Sequence, residues 1–105
     1  MQTDKVVSLV GFAMRAGKVV FGADGIERYH GKKHLIIMSK DVSQNTKERV
    51  IRRNSQVPAL LSREIGVEEI THKAKCKVIA ITDKQMAQAI LTNKNGTYQL
   101  VTEVN

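Results

Sequence analysis

Apolar residues recur along this chain in two alternating rhythms. Val6, Leu9, Val10, Ala13 and Met14 fall at three- and four-residue spacings, the signature of one buried helix face. Thr3 and Asp4 can open that helix. Gly17 ends it, with Arg15 in the last turn, where a cation suits the helix dipole. Val19–Phe21 reads as a short strand. Asp24 with Glu27 three residues later resembles a capping box and predicts a second helix running to about His30, stopped by Gly31. Leu35–Ser39 is a continuous apolar run, expected of a strand covered on both faces. Asp41 and Ser43 are cap candidates for a third, strongly basic helix ending near Asn54. Val57–Leu61 is the next strand, with Pro58 placing it at an edge or marking its start. Ser62 can cap a short helix that Gly66 weakens. Cys76–Thr82 is another apolar strand, and Asp83 caps a last helix with Met86, Ala89 and Ile90 on one face. Asn93–Gly96 makes a turn, and Thr97–Val104 is a final extended segment.

This alternation predicts the α/β class: a three-layer α-β-α sandwich with helices on both faces of a mixed, roughly four-stranded sheet. The 105 residues, 42% hydrophobic, suit one domain spanning residues 1–105. Its core covers about residues 3–92, and 93–105 form the turn and the extended C-terminal segment. Repeats, low-complexity stretches and linkers are missing. No run of about 18 apolar residues exists to span a membrane, and the first residues lack the features of a signal peptide. The lone Cys76 excludes an internal disulfide. A soluble, cytoplasmic monomer is expected.

Charge changes the picture. Seventeen Lys and Arg against ten Asp and Glu leave +7. Residues 1–53 carry eleven basic and five acidic residues, whereas residues 54–105 carry six and five. A basic half suggests a polyanion, RNA or DNA first of all. Gly11 to Gly17-Lys18 has the wrong spacing for a nucleotide P-loop, and Val19 stands where that loop needs a hydroxyl. Gly22–Gly25 matches the G-x-x-G of KH domains, but a strand precedes it rather than a helix. His30 and His34 do not share a helical face, so no metal or other cofactor is expected. Cys76 reads as a buried structural thiol. Ser, His and Asp show no pattern joining a base to a nucleophile, so no catalytic activity is expected. Phe12, Phe21, Tyr29 and Tyr98 form no paired stacking platform; Phe12 and Phe21 fall on apolar faces and are expected in the core. Recognition of structured RNA through its backbone and groove edges remains.

The ordered set of features in residues 8–90 resembles the kink-turn-binding ribosomal-protein family, in its small bacterial YlxQ-type branch. These features are Arg15-Ala16-Gly17-Lys18 before the first strand, the glycine junction, a basic turn, an apolar strand, and Asp41-x-Ser43-x-Asn45-Thr46-Lys47 at the next helix. Val78–Ile90 also looks like that family's last strand and helix. The resemblance implies binding of kink-turn RNA, a bend built on sheared G·A pairs, as in ribosomal or other translation RNAs. Carried over, Gly22, Ala23, Asp24 and Gly25 form the edge that enters the RNA groove. Arg28 takes a basic phosphate contact, with Lys18, Lys32, Lys33, Lys73 and Lys75 as flanking cations. The loop Gly66–Lys75 packs on an extruded nucleotide, with Val67 or Ile70 as the apolar contact. The best-known binders read guanine edges with Asn or Lys followed by Glu or Gln, where this chain has Asp24 and Gly25. Together with Glu68 and Glu69, these support an alternative: a protein-interaction adaptor that keeps the fold without the RNA site.

Overall fold

The computed structural model describes residues 4–101. Its elements are α1 (Lys5–Arg15), β1 (Val19–Phe21), α2 (Ala23–Arg28), β2 (Leu35–Ser39), α3 (Gln44–Arg53), β3 (Ala59–Ser62), α4 (Val67–Thr71), β4 (Val78–Ile81), α5 (Lys84–Asn93) and β5 (Tyr98–Leu100). The sheet order is β1-β4-β2-β3-β5. β1, β2 and β3 run parallel to one another, while β4 and β5 run the other way. β2 is central and buried throughout, which is why its sequence is apolar without alternation.

Helices cover both faces. On one, α1, α4 and α5 pack Val6, Val10, Val67, Ile70 and Ile90 over Leu35, Ile37, Ile79 and Ile81. On the other, α2 and α3 pack Ile26, Val50 and Ile51 over Ile36, Met38, Val78 and Ala80. Successive residues of β2 thus supply opposite cores, as the pleat demands. Among the described residues, no helix is long and apolar enough to cross a membrane.

The sheet has five strands, not roughly four. The extra one, β5, pairs antiparallel with β3 and covers the edge that Pro58 was expected to mark. Pro58 stands directly before β3 and so marks its start, the other of the two expected placings; its carbonyl accepts the Ile36 N–H at 2.9 Å. Thr3, as a helix opener, and the end of the expected C-terminal strand, residues 102–104, lie outside the described residues. Asp4 does open α1: its carboxylate accepts the N–H groups of Val6 at 2.8 Å and Val7 at 3.4 Å. Ser43 and Asp83 cap α3 and α5 in the same way. The second helix is shorter than expected, because Tyr29 is already extended. The fourth starts at Val67 rather than at Ser62, whose hydroxyl donates to the Ile65 carbonyl instead. The buried Ser39 hydroxyl accepts the Val67 N–H at 2.6 Å and so ties α4 to the end of β2.

Asp4 also accepts a hydrogen bond from the buried Tyr98 hydroxyl at 3.0 Å, joining α1 to β5. Burial first, then this bond, pushes the Tyr98 phenol well above its ordinary range. A pKa raised on folding gives stability that is present below the unfolded value of about 10 and lost as pH rises beyond it. Asp4→Ala is expected to lose about 1–2 kcal/mol in urea denaturation, since cap and phenol partner go together. Tyr98→Phe is expected to lose about 1 kcal/mol, and the double variant little more than Asp4→Ala.

Candidate nucleic-acid interface

Because β1, β2 and β3 are parallel, their carboxyl ends lie along one edge of the sheet, and each leads into a helix N-terminus: α2 after Gly22, α3 after Ser43, α4 after Gly66. β4 begins at this edge, bringing in the loop His72–Lys77. Gly22 has φ +79°, a conformation that side chains rarely adopt, and its N–H donates to the Val78 carbonyl at 2.8 Å. A Cβ built there meets nothing within 4 Å, so backbone conformation, not crowding, calls for glycine. The first intrahelical bond of α2 runs from the Ile26 N–H to the Gly22 carbonyl at 3.0 Å, and no side chain caps the turn before it. The expected Asp24–Glu27 box does not form. Both carboxylates turn to α3: Arg49 lies 3.6 Å from Asp24 and, off the hydrogen-bond direction, 2.9 Å from Glu27, with Arg53 at 3.7 Å from Glu27.

Gly22 is a wall shared by two clefts. One, of about 360 Å³, is lined by Phe21, Gly22 and Lys73–Cys76; Lys73 Nζ stands 4.6 Å from the centre of the Phe21 ring. The other, of about 370 Å³, is lined by Gly22, Ala23, Val42, Ser43, Thr46, Lys75 and Lys77, among others. Glu68 is restrained here. One of its oxygens accepts from Lys77 Nζ at 2.5 Å and the other from the Lys75 N–H at 2.5 Å. Lys77 Nζ also reaches Asp41 at 2.7 Å. These bonds hold the Asp41 and Glu68 carboxyls below their ordinary range and raise Lys77 well above its own. The acidity expected to face RNA is thus partly matched by a neighbouring ammonium.

The expected site residues divide. Gly22, Ala23, Asp24, Gly25, Lys73 and Lys75 come together at the carboxyl edge. Lys18, Arg28, Lys32 and Lys33 belong to the opposite edge. There the Lys18 carbonyl accepts the Thr82 N–H, and the His34 N–H donates to the Ile81 carbonyl. Lys33 Nζ is occupied with the Ile26 carbonyl at 3.2 Å. Val67 and Ile70 are corrected: at 0% and 2% exposed they belong to the core, because α4 turns its apolar side toward α1. Phe12 is corrected in the opposite sense, being 61% exposed. At 100° per residue it lies roughly 130° around α1 from the Val6–Val10–Ala13 stripe, a signal that a strict helical count contains. Ser43, Thr46 and Lys77 line the site without having been expected there; only their closeness to the third helix cap and to the last long strand hinted at it.

Lys77→Ala is expected to raise the Asp41 and Glu68 carboxyl pKa values toward the ordinary range, read by NMR titration of the side-chain carbons. Because these values are lowered on folding, the stability they contribute is present above the ordinary carboxylate range and is lost as pH falls through the lowered values. The difference in stability between wild type and variant should therefore narrow on acidification.

No family model matches the sequence. Among curated proteins, it is similar to the RNA-binding protein YlxQ of Enterococcus faecium. The two are 32% identical over 89 residues, which cover 80% of this chain and 85% of that protein.

Proposed function

The chain belongs to the YlxQ family, and from that premise we propose that it is a non-catalytic protein that binds structured, kink-turn-like RNA in a ribosomal or translational setting. The observation that carries this reading is the carboxyl edge itself. A glycine in the left-handed region opens α2 without a side-chain cap, between two clefts that share Lys75. The relative's name supports RNA as the partner, and so does the net charge of +7.

In this reading each group has its own task. Gly22 lets the backbone approach an RNA groove closely. Lys73 and Lys75 meet phosphates beside it, and Lys18, Arg28 and Lys32 meet them at the opposite edge. β1 has three residues and spans about 10 Å, so one RNA helix can touch both edges. Asp24 can accept hydrogen bonds from guanine N–H groups, and Arg49 beside it moderates repulsion of nearby phosphates. Phosphate contacts set position and orientation, whereas base reading rests on few atoms.

With about five cations on phosphates, affinity for duplex-like RNA should fall with a log-log salt slope near −4. A slope near zero in filter binding would remove the electrostatic basis. Gly22→Val is expected to abolish binding, with folding checked in parallel because the left-handed φ strains any side chain. Arg28→Ala should weaken every RNA alike, by roughly 1–2 kcal/mol. Gly25→Glu discriminates. A Cβ there meets only Val20 at 3.5 Å, an ordinary contact, and Glu favours a helix over Gly by up to about 1 kcal/mol. It should tighten binding to a kink-turn and leave a plain duplex unaffected. Equal weakening of both RNAs would show that this edge reads no base and would favour the adaptor alternative.

A further inference from the structure

α1 carries an aromatic ring in water on the side away from its buried stripe. Phe12 is 61% exposed, and the Arg15 guanidinium sits 5.1 Å from its ring centre. Beside the ring runs a groove of about 490 Å³, with Gly11, Phe12 and Arg15 on one wall and Ile70 and His72 on the other. Gly11 leaves the floor low: a Cβ built there would meet Arg15 Nη1 at 3.6 Å. His72 is the first residue of the loop that continues as Lys73–Cys76 into the cleft at Gly22, so the two hollows adjoin along one loop.

We infer that this groove takes an unstacked nucleobase of the RNA held at the carboxyl edge; the inference rests on the RNA-binding reading. The chemistry selects this occupant. A flat apolar face suits any base for stacking, and a guanidinium can take the attached phosphate or stack as a cation. Among the described residues no carboxylate lines the groove, which matches a polyanion, and the loop joins it to the proposed RNA edge. Val67 takes no part in the groove, and Ile70, almost wholly buried, adds only to its far wall, so the exposed stacking face is that of Phe12.

The test works whichever RNA is bound. The full-length protein is crosslinked to RNA in cells with ultraviolet light and digested with trypsin, and nucleotide-bearing peptides are located by mass spectrometry. Cleavage after Lys5 and Arg15 releases Val6–Arg15, which contains Phe12. Cleavage after Lys18 and Arg28 releases Val19–Arg28, which contains Phe21 and Gly22. Adducts are expected on both. Phe12→Leu, exposed and helix-compatible, should lose the first adduct, keep the second, and bind the recovered RNA about tenfold more weakly, as expected from loss of one stacked base. Adducts on Val19–Arg28 without any on Val6–Arg15 overturn the nucleobase site and leave the RNA reading standing. So does a Val6–Arg15 adduct that survives Phe12→Leu. Capture of a polypeptide by a photoreactive phenylalanine placed at position 12 overturns the site as well, and absence of RNA from the crosslinked protein overturns both readings.

Discussion

Everything in this molecule depends on the burial of β2. Five consecutive residues with at most 1% exposure can exist only where strands flank both edges and helices cover both faces. Leu35 and Ile37 anchor one helical layer, and Ile36 and Met38 the other. A register slip of one residue would exchange the two cores, so pairing with β3 and β4 is specified by packing on both sides. The parallel run of β1, β2 and β3 follows from how these strands share neighbours. With it comes the gathering of three helix starts along one edge. Position of the site is thus inherited from the core.

Charge at that edge is arranged around a single ammonium. Lys77 draws Asp41, from the turn before α3, and Glu68, from α4, onto the first residues leading into β4. All three groups face solvent, so the arrangement contributes little to stability through Coulomb attraction alone. Its effect is on position. It brings the α4–β4 loop beside the α3 start, while Lys73, over the Phe21 ring, takes no part in these ion pairs. Other cations lie at the opposite edge, at Lys18, Arg28, Lys32 and Lys33, and along α3, at Lys47, Arg49, Arg52 and Arg53. The positive field is thus spread over the surface rather than focused on one pocket.

Element order was legible in the sequence because apolar period and caps agreed. Asp4, Ser43 and Asp83 all cap as their positions predict. What was missed has physical causes. The Asp24–Glu27 spacing satisfies a local rule, but Arg49 and Arg53 compete for both carboxylates from another helix. Val67 and Ile70 sit in a segment rich in charge, and only the approach of α1 makes them core. The segment of β5 reads as extended but is too short and polar to be counted into the sheet; it pairs with β3 because Tyr98 finds a buried place and an acceptor 94 residues away in Asp4. Phe12 shows the reverse, an apolar residue left outside because the helix is narrow and its stripe was already full. Helix and strand follow from neighbours in sequence, whereas a surface follows from neighbours in space.

The α4–β4 loop carries a kinetic consequence. His72 and Lys75 both occupy the left-handed region, at φ 60° and 67°, each costing on the order of 1 kcal/mol or more. Thr71 Oγ1, Glu68 and the Lys73 carbonyl fasten the loop in that shape through the N–H groups of Lys73, Lys75 and Cys76. The fold has therefore met the ordering cost before any partner arrives. Encounter then needs no wait for the loop to rearrange, which leaves mutual orientation and charge steering to set the association rate. Discrimination between partners is left to residence time: a mismatched one docks as fast as a matched one and leaves sooner.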